Sequence, residues 1–124
     1  MIEKTIKVGG RDVAFKSSAA IPRIYRARFG RDIFADLMRL EKSLSDAEGE
    51  GASFDVADLE VFENVAYVMA AHADPTVPAS IDEWLEQFEM LSIYEVLPEI
   101  LALWGENMAT AVQPRKNRQR ARAE

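Results

Sequence analysis

The segment from Leu59 to Ala70 constrains this chain more than any other. Leu59, Val61, Phe62, Val65, Ala66, Val68, Met69 and Ala70 almost encircle a helix expected over about Val56 to His72. A helix that is apolar on nearly every side belongs at the centre of a core or beneath a partner. With 124 residues, the chain has enough length for one such core and not for two. The rest of the sequence is therefore read as what must surround this helix.

Ile2 to Val8 and Val13 to Lys16 read as two short strands, with Ile2, Ile6, Val8, Val13 and Phe15 as their apolar positions. Gly9 and Gly10 lie between them, and glycine accepts the positive φ of a hairpin turn. The loop is expected to run on to Arg11 and Asp12. A lone hairpin is marginal in water, so this one must lie on helices or pair with another chain's strand. Helix one is predicted over about Ala20 to Phe29, with Pro22 in its first turn and Gly30 as its stop. Ile21, Ile24, Tyr25 and Phe29 form its apolar face. Asp32 opens a second helix to about Ser45, with Ile33, Leu37, Leu40 and Leu44 on one face and Phe34 and Met38 beside it.

Residues 46–55 read as an acidic loop, and Asp74 to Pro78 breaks the chain after the apolar helix. Ser80 with Glu83, and Ser92 with Glu95, have the spacing of capping boxes. The first opens a short helix bearing Ile81, Trp84, Leu85 and Phe88. The second opens a helix to about Thr110 with Ile93, Val96, Leu97, Ile100, Leu101, Trp104 and Met108 inward; Pro98 allows a bend in it. The expected fold is thus mainly α: a compact bundle of about five helices with a short N-terminal β-hairpin. Residues 1–112 form a single domain, with the hairpin in 1–17, and 113–124 are a flexible, disordered basic tail.

Charge is divided along the chain. Residues 1–42 carry ten Lys/Arg against five Asp/Glu, a net +5. Residues 43–113 carry fifteen Asp/Glu with no Lys or Arg, a net −15, and residues 114–124 carry a net +4. Acidic helix faces keep a domain soluble; segregated charge also suits association between copies, and both readings fit. No cysteine is present, which excludes disulfides and thiolate metal sites. No apolar run reaches the ~20 residues of a membrane span, and the N-terminus has no signal-peptide core. A soluble cytoplasmic protein is expected.

Motifs for chemistry are missing. His72 is the single histidine and has no HxxxH or HExxH partner, so it reads as a residue at a helix C-terminus. Asp46, Glu48, Glu50 and Gly51 imitate the start of a calcium loop, but Ala57 stands where the bidentate Glu belongs. The six glycines form no phosphate-cradling loop, and there is no nucleophile elbow. No catalytic residue, metal or cofactor is expected. The candidate partner-binding residues are instead Trp84, Phe88, Tyr94 and Trp104, which double as core candidates, and the tail cations Arg115, Lys116, Arg118, Arg120 and Arg122. Such a tail can neutralise phosphates. It lacks interleaved aromatics and adjoins an acidic body, so nucleic acid is a poor fit; an acidic protein surface, including another copy of this chain, is the better one.

The ordered features resemble the tail assembly chaperones of long-tailed phages and prophages of Gram-positive bacteria. The resemblance runs through the hairpin, the segment IPRIYRARFGRD (Ile21 to Asp32), LEVFENVAYVMAAHAD (Leu59 to Asp74), SIDEWLEQFEMLSIYEVLPEILALWGENM (Ser80 to Met108) and the Pro114-Arg115-Lys116 end. It spans nearly the whole chain but contains no single diagnostic motif. It implies a non-enzymatic factor that binds the tape measure protein, keeps it soluble, helps recruit tail tube protein and is left out of the virion. It also implies a longer form extended past the C-terminus by frameshifting, and the charge pattern suits self-association into a ring or spiral. Two other readings fit the residues: a nucleic-acid-binding or regulatory adaptor that uses the tail arginines, and a structural connector of the virion.

Overall fold

The computed structural model describes residues 2–48 and 54–105, with side chains left aside at 46–48. Two strands come first, β1 (Ile2–Val8) and β2 (Arg11–Ser17). Four helices follow: α1 (Ile21–Phe29), α2 (Ile33–Glu48), α3 (Val56–Ala73) and α4 (Ile81–Leu85). A fifth, α5, runs over 93–105 to the edge of the described residues. The protein is mainly helical with an N-terminal antiparallel hairpin, as its patterning implies.

α3 is the hub. Nine of its residues are buried, from Asp58 to Ala70, and it packs against β2, α1, α2 and α4. Fully burying a Val, Phe or Met side chain stabilises by ~1.5–3 kcal/mol, so α3 is the largest single source of core energy. The elements around it each contribute one stripe: Ile21 and Tyr25 from α1, Ile33, Leu37 and Leu40 from α2, and Ile93, Val96, Leu97, Ile100 and Leu103 from α5.

The hairpin is tighter than expected. Val8 pairs with Arg11, so the loop is Gly9-Gly10 alone and the strands reach Arg11. Both glycines have positive φ, 55° and 84°, as a type I′ turn requires. Gly9 serves a second purpose, since a Cβ there would stand 2.8 Å from the Met90 carbonyl oxygen. The pleat then sorts the strands cleanly. Ile6, Val8, Phe15 and Ser17 face the core while Glu3, Thr5 and Lys7 face out.

Three further local readings change. α2 continues through 46–48, so the acidic stretch begins as helix and not as loop; Ala and Glu are good helix formers whatever their charge. The calcium-like residues Glu50 and Gly51 lie outside the described residues. The reciprocal capping box is found at Asp55 and Asp58 and opens α3; Asp55 accepts from the Asp58 N–H at 2.7 Å. At Ser80 the hydroxyl accepts from the Glu83 N–H at 3.4 Å, and α4 is a single turn that ends before Phe88. The start of α5 is held by the Ser92 carbonyl, which accepts from Glu95 and Val96.

Gly9→Ala should destabilise the fold by about 2 kcal/mol or more, because it adds both left-handed strain and a clash with backbone. Gly10→Asn should cost far less, since no described residue lies within 4 Å of a Cβ there and Asn tolerates positive φ. Urea denaturation of the two variants checks the contrast.

Candidate functional site: an apolar groove between α2 and α5

α2 carries more apolar surface than one face can bury. Ile33, Leu37 and Leu40 point into the core, whereas Phe34 is 41% exposed and Met38 72% exposed. Phe34, Leu37, Met38 and Glu41 follow at i, i+3, i+4 and i+7, which places them on one stripe. Opposite stand Leu101, Trp104 and Gly105 of α5. Together they bound an open groove of ≈ 600 Å³, its mouth included. Phe34 and Trp104 meet edge to face, centroids 5.2 Å apart, and form its floor. Glu41 is the one charged residue of the lining. Among the described residues, nothing lies within 4 Å of a Cβ built on Gly105.

Two polar networks fix the wall that α2 provides. The first joins α1 to α2. Gly30 closes α1 in the left-handed conformation, and its N–H bonds to the Arg26 carbonyl. Asp32 accepts from the Phe34 N–H at 2.9 Å and so caps α2. Buried Asp36 then receives the Tyr25 hydroxyl at 2.7 Å and both arms of Arg31, at 2.8 and 2.7 Å. Arg31 is the chief reason that the Asp36 carboxyl sits below the ordinary carboxylate range; burial opposes it, and Tyr25 assists. Burial and the same carboxylate push the Tyr25 phenol up.

The second network joins α2 to α3. Asp58 receives Arg39 at 2.7 Å and Ser43 at 3.1 Å. Burial alone would raise its pKa, but the Asp55 N–H, Arg39 and Ser43 together lower it. The segment FGRD within Phe29 to Asp32 therefore has a structural explanation in full. It ends one helix, starts the next and supplies the cation for Asp36.

The aromatic residues singled out from the sequence do not form one surface. Trp84 is 1% exposed and packs edge-on against Tyr67 and Phe88, so it belongs to the core. Phe88 is half-buried, with the Arg11 guanidinium over its ring. Tyr94 is 57% exposed at the start of α5, edge-on to Phe54. Trp104 alone lies in the groove, and it is nearly buried there. Arg115, Lys116, Arg118, Arg120 and Arg122 lie outside the described residues. Phe34, Met38 and Leu101 are the groove residues that were not singled out. The signal for the first two was the double width of the α2 stripe, which exceeds what a single buried face needs.

The titratable groups elsewhere belong to packing. His72 Nε2 and the Ser18 hydroxyl are 2.9 Å apart. Burial, with Lys16 nearby, lowers the His72 pKa. Glu63 is shifted up by burial and by Glu60 and Asp82. Among the described residues, no group of three or more His, Asp or Glu side chains is arranged to hold a metal ion, and no helix is long and apolar enough to cross a membrane.

Asp36→Asn should destabilise by about 2–3 kcal/mol at pH 7, because it leaves Arg31 and Tyr25 with a weaker acceptor. The Asp36 and Asp58 carboxyls titrate lower in the folded chain than in the unfolded one, where the value is ~3.9. Their contribution is complete above that pH and is lost as pH falls below it through the folded values. Urea midpoints at pH 7 and pH 3 should therefore drop less for Asp36→Asn than for the unaltered chain.

No family model, no curated protein and no solved structure matches this chain.

Proposed function

We propose that this protein is a tail assembly chaperone that shelters an apolar helical client, the tape measure protein, in the groove between α2 and α5. The observation that carries this reading is the groove itself. It presents Phe34, Met38, Leu101 and Trp104 on two helices, of which α2 is held against α1 and α3 by two polar networks. An amphipathic client helix inserts side chains at i, i+3, i+4 and i+7 into such a groove. A long helical client with an exposed apolar stripe aggregates unless that stripe is covered. The order of elements, from the hairpin through FGRD to the LPEILALWG helix, supports the same family reading, and the acidic surface of residues 43–105 supports solubility of the loaded client. The protein performs no catalysis in this reading, and tail tube subunits join the client while it is held.

Co-expression with a tape measure protein tests it. The unaltered chain should keep the client soluble and co-purify with it. Met38→Glu alters the groove at an exposed position and Gly105→Leu at one with no described neighbour within 4 Å, so the fold should persist while client retention falls about tenfold or more. Tyr94→Ala, outside the groove, should retain the client. Equal retention by the groove variants would refute the site. Loss of partner binding only on removal of 114–124, together with salt-sensitive binding to DNA, would favour the nucleic-acid reading.

A further inference from the structure

Among the described residues the hairpin is a sheet of two strands, so β1 has β2 on one side and no described strand on the other. The two-residue turn fixes which backbone groups are left over. In such a hairpin the pair that closes the loop, here Val8 with Arg11, exchanges both hydrogen bonds. Alternate pairs do the same: Ile6 with Val13, Lys4 with Phe15, Ile2 with Ser17. The N–H and C=O groups of Glu3, Thr5 and Lys7 therefore point away from β2, along the open edge. The side chains of these three residues are exposed. Among the described residues, no backbone hydrogen bond reaches this edge from another element.

We propose that the edge of β1 binds the same edge of a second copy, antiparallel about a twofold axis at Thr5, to make a continuous four-stranded sheet. The side chains select this partner and this register. With Thr5 opposite its own counterpart, Glu3 faces Lys7 of the second copy and Lys7 faces Glu3. Both opposed pairs lie on the exposed face of the sheet and both are attractive. Ile2 meets Val8 and Lys4 meets Ile6 on the inner face. Sliding by two residues one way would set Lys4 against Lys4; sliding the other way would leave Glu3 without Lys7. Only the register centred on Thr5 joins the outward-pointing backbone groups, about six hydrogen bonds in all, with charge pairing at both ends. A self-matching edge of this kind gives a closed dimer. It differs from head-to-tail association by segregated charge, which would grow past two copies and dissolve in salt. The pairing is independent of the chaperone reading.

Sedimentation velocity on the full chain, from micromolar to near-millimolar, tests the proposal. A dimer should form and persist at high salt, since its backbone bonds are not screened. Thr5→Pro removes an edge N–H that the hairpin itself does not use, so circular dichroism should be unchanged while dimerisation weakens at least about tenfold. Lys7→Glu should weaken it by a similar factor, and the double exchange Glu3→Lys with Lys7→Glu should restore it when Lys16→Glu and Asp12→Lys keep the pairs within the hairpin opposite in charge. That pair of variants decides the matter if Thr5→Pro disturbs the fold.

Cross-linking is a separate readout, because the chain has no cysteine of its own. Thr5→Cys places two thiols on residues ~5.5 Å apart at Cα, within disulfide reach. Glu3→Cys places them about 14 Å apart along the strands. Oxidation should link the first and not the second. A monomer at every concentration, an assembly indifferent to Thr5→Pro, or equal cross-linking at Glu3→Cys would overturn the proposal.

Discussion

A helix without a polar side cannot be left at a surface, and that requirement organises this protein. Val61, Phe62 and Val65 to Ala70 of α3 are buried, and its neighbours are disposed to cover it: β2, α1, α2 and α4 all touch it. Each neighbour needs to be apolar along one stripe only. The hairpin shows the same dependence from the other side. Two strands alone are barely stable in water, yet Phe15 and Val8 are fully buried once the strands lie on the helices. Hub and covers have no stable existence apart, which is the condition for cooperative folding of a single core.

The way the chain handles charge follows from this geometry. Burial of Asp36 and Asp58 would be costly if they stood alone. Both are acceptors for arginine, Asp36 for Arg31 and Asp58 for Arg39. Arg31 and Arg39 keep nearly half of their side-chain surface in water, so each cation remains solvated while its partner is enclosed. The result is orientation more than adhesion. The networks set how α2 meets α1 and α3, and with that they set which of its residues remain outside. Phe34 and Met38 are outside, facing Trp104, because Ile33, Leu37 and Leu40 are held inward.

Periodicity reveals most of the fold because its signals are local. The all-round apolar pattern at Leu59 to Ala70 identifies the centre, Gly30 and Asp32 mark a helix boundary, and the two glycines mark the hairpin. What remains hidden depends on distance. Asp55 and Asp58 look like two more acids in an acidic stretch until the fold brings Arg39 to both of them and Ser43 to Asp58. Trp84 and Trp104 look alike in the sequence. One is enclosed by Tyr67 and Phe88, and the other borders a groove whose far wall comes from a helix some seventy residues earlier. The groove could not be read from either helix alone. A double-width stripe on α2 says that something lies beside it, and only the fold says what.

The division of charge along the chain has a consequence for how the molecule is made. Between residues 43 and 113 there is no Lys or Arg, so every cation that this stretch meets within the described fold comes from the first 42 residues. Arg39 reaches Asp58, and Lys4 reaches Glu99. A ribosome releases the cationic third first. When the anionic part emerges, it meets counter-charges that are already displayed on the nascent hairpin and on α2. The linear order of synthesis thus coincides with the order in which compensation is needed, and no newly exposed stretch of acids has to wait for cations still to be translated.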